Sequence, residues 1–239
     1  MRSILIKSIN GRKMPLVMAH MGGLSHGRPN SIQAIRNSTK YNPDIFEIDV
    51  RKSRDNILFC HHGSLPFGII FSQILFLFRF NFIVKLLGQI NTLDEILEAI
   101  PQNIIVYLDI KSGYITSDDL LKVINKYPAH QIWMAAYNLN YLKRLRAKLG
   151  ENYVYVFNRP IVFLNHFLNN SKGIADIVQL FIWQWKERVV QKVNSNGIEV
   201  HLAHWFVPLS RKYIIGKKYN NIWLTYDDLR LTQTSKQLS

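Results

Sequence analysis

The chain alternates short apolar runs with helical patterns along almost its whole length, and this alternation restricts the fold more than any other feature. The runs are rich in Ile, Val and aromatic residues and are mostly apolar on both faces, as strands of a buried parallel sheet are. They predict strands over residues 16–20, 45–50, 57–61, 104–110, 132–137, 153–157, 177–183, 199–205 and 222–225. The patterns between them predict helices over residues 31–40, 93–100, 117–126, 139–149, 186–194 and 209–218. About eight βα repeats favour a (β/α)₈ barrel or a doubly wound sheet.

The length of the chain suits a single barrel domain. It has 239 residues, and a (β/α)₈ barrel typically needs about 250. No linker rich in Pro, Gly or Ser divides it, so we expect one domain over residues 1–239. The N-terminus lacks the apolar run of a signal peptide, and the single Cys60 excludes an intrachain disulfide framework. We therefore expect a cytoplasmic protein.

The net charge of +14, with an isoelectric point near 9.9, is the unusual quantity of the composition. Such an excess attracts polyanions, which include nucleic acids, anionic membranes and phosphorylated substrates. The cations are scattered and no nucleic-acid-binding motif accompanies them, so we expect no nucleic-acid partner. Two interpretations of this charge stay open: a surface that attracts phosphorylated or membrane partners, and a basic surface that is merely solvated.

Carboxylates lie in two of the predicted strands. Glu47 and Asp49 alternate with apolar residues, so both project to the same side. Two adjacent carboxylates repel unless a cation or a shared proton relieves them, and a hard divalent ion, Mg²⁺ or Ca²⁺, is the simplest answer. Asp109 ends another apolar strand and supplies a third ligand. Lys111 faces the same way, where it would hold a phosphate oxygen or neutralise developing charge.

Histidines lie at the ends of two further predicted strands. His20 ends the first of these strands, and the pair His61 and His62 lies at the end of the other. In a parallel α/β fold, ligands bind at the carboxyl ends of the strands. Strand alternation allows only one residue of the pair to face a pocket. Two histidines that flank two carboxylates suit metal-assisted acid and base catalysis on a phosphate ester.

The order of these residues resembles a known family. The chain presents, in sequence, His20, Glu47-x-Asp49, His62 and Asp109-x-Lys111. This order resembles the glycerophosphodiester phosphodiesterases and the related sphingomyelinase D-type phospholipases. Thinner similarity continues in residues 138–145, 197–200, 205–207 and 224–227. The resemblance implies a (β/α)₈ barrel, one divalent metal on the three carboxylates, and His20 and His62 as the catalytic acid and base.

The chain departs from the diesterases in ways that are similar to the sphingomyelinase D-type enzymes. The diesterases usually have a phosphate-binding arginine after the first histidine, where this chain has Met21, and they favour Glu where it has Asp109. Gly63 stands where they usually have an Asp, and the pair His62-Gly63 is like the toxin-type branch. We therefore favour His62 as the second catalytic histidine, with His61 as the alternative.

Residues 66–87 form a very apolar insertion after the second strand, interrupted by Arg79, Asn81 and Lys85. Its uncharged part is too short to span a bilayer, which takes about 20 residues. Two interpretations stay open: an interfacial element that contacts a membrane beside the active site, or a buried helix that closes one side of the barrel.

These observations together predict a metal-dependent phosphodiesterase that acts on glycerophosphodiesters or lysophospholipids. Lys111 is a candidate substrate-binding residue, and Trp205 is a second, placed at the pocket rim where its ring would receive a choline-like head group. We interpret His201 and His204 as packing or substrate-contact groups. The alternative function is a catalytically impaired barrel that binds phospholipid head groups or anionic membrane.

Overall fold

The computed structural model describes residues 3–63, 73–158, 164–181, 186–203, 222–230 and 232. The strands of this part are β1 Leu16–Ala19, β2 Ile45–Lys52, β3 Leu58–Cys60, β4 Ile105–Ile110, β5 Ile132–Ala136, β6 Val154–Phe157, β7 Ile177–Phe181, β8 Glu199–Ala203 and β9 Trp223–Tyr226. The α-helices are α1 Ser3–Ile9, α2 Ile32–Thr39, α3 Phe80–Leu87, α4 Leu93–Ala99, α5 Ser117–Ile124, α6 Leu139–Leu149, α7 Leu164–Ser171 and α8 Glu187–Asn194.

Eight parallel strands form one nearly closed sheet in the order β8, β7, β6, β5, β4, β2, β1, β9, with helices around it. The predicted (β/α)₈ barrel is therefore confirmed. All nine predicted strands are present, as are five of the predicted helices, and the helix predicted over 209–218 lies outside the described residues. The sequence patterns missed α1 and α7, because β-branched or Asn-rich segments of this length carry weak helix signals. Within residues 66–87, α3 is a helix with Ile83 buried, as one of the two interpretations of that segment expects.

The strand predicted over 57–61 does not belong to the barrel wall. It forms β3, which pairs antiparallel with the outer half of β2, so that Lys52 lies opposite Leu58 and Val50 opposite Cys60. The hairpin leads the chain back toward the barrel, where the His61 N–H donates to the carbonyl oxygen of Asp49 at 3.1 Å. The apolar insertion consequently begins after this hairpin rather than directly after the second barrel strand.

Strand alternation divides the apolar side chains into two layers. Along β2, Phe46, Ile48 and Val50 face the helices, whereas Ile45 belongs to a separate cluster inside the barrel. Glu47 shares the inward face with Ile45, because residues two apart in a strand point to the same side. The polar groups of the inward face therefore lie above an apolar barrel interior.

The first helix closes the amino-terminal end of the barrel. Leu5 packs in the interior cluster with the first residues of several strands, among them Leu16 and Ile105. The indole N–H of Trp133 donates to the Ser8 hydroxyl at 2.7 Å, and this bond fixes α1 to the barrel. The opposite, carboxyl-terminal end is left for a site.

We expect that Leu5→Ala lowers the free energy of unfolding by about 2–5 kcal/mol, because it removes a fully buried side chain and leaves a cavity. Urea denaturation followed by circular dichroism measures this change. Ile6→Ala is the matched control, since Ile6 is 50% exposed on the same helix, and it should change stability by no more than about 0.5 kcal/mol. Equal effects of the two substitutions would contradict the role given to α1.

Candidate active site

Three carboxylates meet at the carboxyl ends of two neighbouring strands. The parallel register of β2 and β4 places Asp49 directly opposite Asp109, and Glu47 lies two residues before Asp49 on the same face. One oxygen from each carboxylate lies within 4.8 Å of the others. All three residues are buried, with at most 5% of their surface exposed. Carboxylates buried this closely need a positive charge nearby.

Lys111 supplies part of that charge. Its Nζ lies 2.8 Å from Asp49 Oδ1 and 2.5 Å from Asp109 Oδ2, and it donates to the Tyr137 hydroxyl at 3.2 Å. Burial alone would lower the pKa of Lys111, but Asp109 and Asp49 raise it well above the usual range. Burial likewise acts to raise the pKa of Asp49, and the charge of Lys111 outweighs it and lowers that pKa.

One lysine does not balance three carboxylates. Burial and then the neighbouring charge of Asp49 raise the pKa of Glu47 to about 8. Within the described residues, the Oδ1 atom of Asp109 is buried and accepts no hydrogen bond. An all-oxygen, acidic donor set with a buried unpaired carboxylate oxygen fits a hard divalent cation. These residues are therefore chemically suited to the metal that the sequence predicts.

His20 lies beside this cluster at the end of β1. Its Nδ1 is 2.7 Å from Asp227 Oδ1, and its Nε2 is 3.9 Å from Glu47 Oε2. Burial acts to lower the pKa of His20, but the hydrogen bond to Asp227 and the charge of Glu47 together raise it to about 9. Because Asp227 engages Nδ1, the ring directs Nε2 toward the carboxylates.

The chain turns sharply directly after His20. Met21 has a left-handed backbone with φ of 50°, a conformation that costs a non-glycine residue about 1–2 kcal/mol. In this conformation its N–H donates to Glu47 Oε2 at 2.7 Å. Met21 therefore holds Glu47 through its backbone, and its side chain forms part of the cavity wall.

His62 comes to the same site from the β2–β3 hairpin. Its Nδ1 lies 2.8 Å from the carbonyl oxygen of Gly63; a carbonyl only accepts, so Nδ1 carries the proton of this bond. Arg51 donates from Nε to the carbonyl oxygen of His61 at 2.8 Å and from Nη2 to that of His62 at 3.1 Å. Arg51 thus fixes the backbone of the pair.

The structure places His62 on the wall of the cavity, whereas His61 is not among the residues described as lining it. Burial and the charge of Arg51 lower the pKa of His61 to about 4, so this imidazole is neutral at pH 7.

A cavity of about 320 Å³ opens above the carboxylates. It brings together most of the predicted site residues, namely His20, Glu47, His62, Asp109 and Lys111. Its apolar wall contains Met18, Met21 and Trp223. Trp205 and His204 lie outside the described residues. His201 is buried, with its ring stacked on Trp223 at a centroid distance of 3.6 Å, as the packing interpretation expects.

Sequence reasoning missed two residues that support the site. The side chain of Asn30 donates to Asp49 Oδ2 at 2.8 Å and accepts from the Asp49 N–H at 2.9 Å. Its backbone is left-handed, with φ of 56°, and an Asn after Gly and Pro residues is the available signal for such a turn. Asp227 directly follows β9, and this position at the carboxyl end of a strand is the sequence signal that could have identified it as a site residue.

Solved structures with the same fold include several glycerophosphodiester phosphodiesterases. The chain is similar to the enzyme from Thermotoga maritima (16% identity, 93% of this chain and 99% of that chain, TM-score 0.69). It is also similar to the enzyme from Agrobacterium tumefaciens (14%, 91% and 99%, 0.70). A third is an Oleispira antarctica phosphodiesterase in complex with the product sn-glycerol-3-phosphate (16%, 93% and 97%, 0.73).

These TM-scores, over more than nine-tenths of the chain, establish a shared fold, as the family resemblance predicts. No protein-family model and no curated protein matches the chain. The neighbours described above are diesterases, so the sphingomyelinase D-type features stay a prediction.

We expect divalent cation affinity to rise about tenfold per pH unit below pH 8 and to level off above it. The pKa of Glu47 is raised to about 8, so below that pH a cation must displace its proton. Titration calorimetry with Mg²⁺ and with Ca²⁺ between pH 6.5 and 8.5 tests this. His20→Asn should keep the slope, because the proton comes from Glu47; a flat profile in both proteins would contradict the argument.

We expect Asp227→Asn to lower the pKa of His20 below about 9, because the substitution removes the carboxylate that stabilises the imidazolium. An NMR titration of the His20 ring measures it. Asp228→Asn is the matched control, since Asp228 contacts His26 and Arg230. A His20 pKa that stays at the wild-type value in Asp227→Asn would show that the pair does not act as described.

Proposed function

We propose that the protein is a metal-dependent phosphodiesterase that hydrolyses glycerophosphodiesters or lysophospholipids. The observation that carries the proposal is one cavity lined by His20, His62, Glu47 and Asp109, whose two carboxylates form a buried cluster with Asp49 that contains an unpaired oxygen. The fold shared with solved glycerophosphodiester phosphodiesterases supports it, as does the complex of one structural neighbour, the Oleispira antarctica phosphodiesterase, with the product sn-glycerol-3-phosphate.

Glu47, Asp49 and Asp109 would hold the divalent cation, either Mg²⁺ or Ca²⁺. Such a cation supplies Lewis-acid chemistry, which withdraws negative charge from a phosphoryl group. Lys111 already contacts two of these carboxylates, and it would direct its charge at a phosphate oxygen in the same space. Because Met21 occupies the position of the usual arginine, Lys111 carries a larger share of that task.

The two histidines would transfer protons as acid and base. In each ring Nδ1 is already engaged, by Asp227 in His20 and by the Gly63 carbonyl in His62. Nε2 is therefore the atom of each ring that is left to exchange a proton with the substrate. One ring would take the proton of the nucleophile while the other protonates the leaving alcohol.

The proposal extends to the surroundings of the site. Trp205 would contact a choline-like head group, and the apolar insertion would bring a cytoplasmic protein into peripheral contact with a membrane. Among the helices of the described residues, none combines the length and the hydropathy of a membrane-spanning segment.

Hydrolysis assays test the function. Purified protein is given glycerophosphocholine, lysophosphatidylcholine or sphingomyelin with Mg²⁺, Ca²⁺ or EDTA. We expect turnover that EDTA abolishes and that falls by about 10²–10⁴ in His20→Asn and in His62→Asn. Glu47→Gln should lose turnover together with cation affinity.

Two variants serve as controls. His130→Asn changes a histidine that precedes β5 at the opposite end of the barrel, and Asp94→Asn changes an exposed carboxylate paired with Lys126. Both should keep the wild-type rate. A folded, cation-loaded protein that hydrolyses none of the substrates contradicts the proposal; binding of glycerophosphocholine without turnover would then favour the head-group-binding alternative.

A further inference from the structure

An exposed apolar surface lies along residues 73–90. Four large side chains there are about half exposed: Ile74 at 41%, Leu77 at 52%, Phe82 at 48% and Leu86 at 50%. We call these four residues the apolar platform. The other large apolar side chains exposed in the described part of the chain are scattered, at Ile6, Met14, Tyr114 and Tyr137.

The platform is held outward by well-packed neighbours. On α3, Ile83 is fully buried in a cluster with Phe59 and Leu75, which fixes the orientation of the helix. Phe82 and Leu86 are one turn apart and therefore share a face. The ring of Phe82 also stacks on Phe78 at 5.0 Å. The exposure is thus a consequence of how this segment packs.

The charges around the platform are positive, apart from that of the exposed Asp55, which lies near Arg79. Between Asp55 and Asp94 the chain contains no acidic residue, whereas Arg79 and Lys85 are exposed on either side of Phe82. Asp55 itself accepts hydrogen bonds from the Ser53 hydroxyl and from the N–H of Phe80. Apolar side chains between exposed cations match the chemistry of an anionic lipid surface, where lipid phosphates lie above acyl chains.

The platform adjoins the active site. Leu75 and Phe76, beside its first residues, line a cavity of about 170 Å³ together with Arg51 and Lys111. Lys111 also lines the main cavity. Phe76 stacks on Tyr114 of the loop after β4 at 4.6 Å. A surface that docks on the platform would therefore lie at the mouth of the site.

We propose that the apolar platform docks the protein on an anionic phospholipid surface. The four apolar side chains enter the interface, and Arg79 and Lys85 contact lipid phosphates. Docking on the membrane does not depend on catalytic turnover. Its role, which is to give the active site access to a phosphodiester substrate in the membrane, rests on the proposed function.

Vesicle flotation tests the docking. Vesicles of phosphatidylcholine alone are compared with vesicles that also contain phosphatidylglycerol. Wild-type protein should bind the anionic vesicles, and high salt should weaken this binding. Two variants should each bind the anionic vesicles at least about tenfold more weakly than the wild type. One is the triple variant Leu77→Gln, Phe82→Gln and Leu86→Gln, and the other is the double variant Arg79→Gln and Lys85→Gln.

The matched control is Ile6→Gln with Lys7→Gln, an exposed apolar and cationic pair on α1 at the opposite end of the barrel. It should bind as the wild type does. The double variant changes only exposed polar groups, so it keeps the test valid if the triple variant does not fold. Absence of wild-type binding to anionic vesicles, or equal binding by the wild type and both variants, overturns the inference.

Hydrolysis of water-soluble glycerophosphocholine separates this inference from the proposed function. The platform variants should hydrolyse it at the wild-type rate, because no platform residue lines the main cavity. Failure of the wild type to hydrolyse glycerophosphocholine, lysophosphatidylcholine and sphingomyelin alike would count against the proposed function alone. Analytical ultracentrifugation tests whether the platform instead binds a second copy of the chain. A dimeric wild type with a monomeric triple variant would show that it does, and would overturn the lipid proposal.

Discussion

The register between β2 and β4 is the constraint on which the rest of the site depends. It puts Asp49 opposite Asp109 inside the barrel, with Glu47 one strand repeat below. Two like charges about 4 Å apart repel by about 4 kcal/mol at an effective dielectric constant of 20. Positive charge or a bound proton at this point is therefore needed to stabilise this register. Lys111, two residues beyond Asp109 on the same face, meets part of the condition from within the same strand pair.

The remaining stabilisation comes from polar groups that loops bring to the carboxylates. Asn30 binds Asp49 with two hydrogen bonds, and the Met21 N–H binds Glu47. Both residues have left-handed backbones in the loop after β1, so local strain accompanies each contact. Hydrogen bonds to an ionised carboxylate are stronger than those between neutral groups. The loop after β1 thus contributes to the site by orienting Glu47 and Asp49 before any ligand arrives.

The fold could be predicted from the sequence because buried parallel strands have a distinctive pattern, and the inward face of β2 follows from alternation alone. Other features depend on contacts between distant segments. The direction of β3 is set by its pairing with β2, and the pattern of a short apolar strand is the same in either direction. Asp227 reaches His20 across 207 residues of sequence. No local sequence pattern indicates that these two residues pair. The position of Asp227 at a strand end indicates only that it could belong to the site.

The electrostatics of the site bear on whether the barrel catalyses or only binds. Met21 and Gly63 remove two polar groups that the diesterase pattern usually has, and this favours an impaired site. The carboxylates argue the other way. Keeping three of them buried costs several kcal/mol for each charge that is not fully paired, and Asp109 Oδ1 has no partner among the described residues. A barrel that only bound phosphorylated head groups, without catalysis, would bind them more tightly with lysine or arginine side chains in place of these residues, because three carboxylates repel a phosphate. A divalent cation on the three carboxylates would reverse the charge that they present to a phosphate, and with His20 and His62 beside it the site would suit phosphodiester hydrolysis, as proposed above.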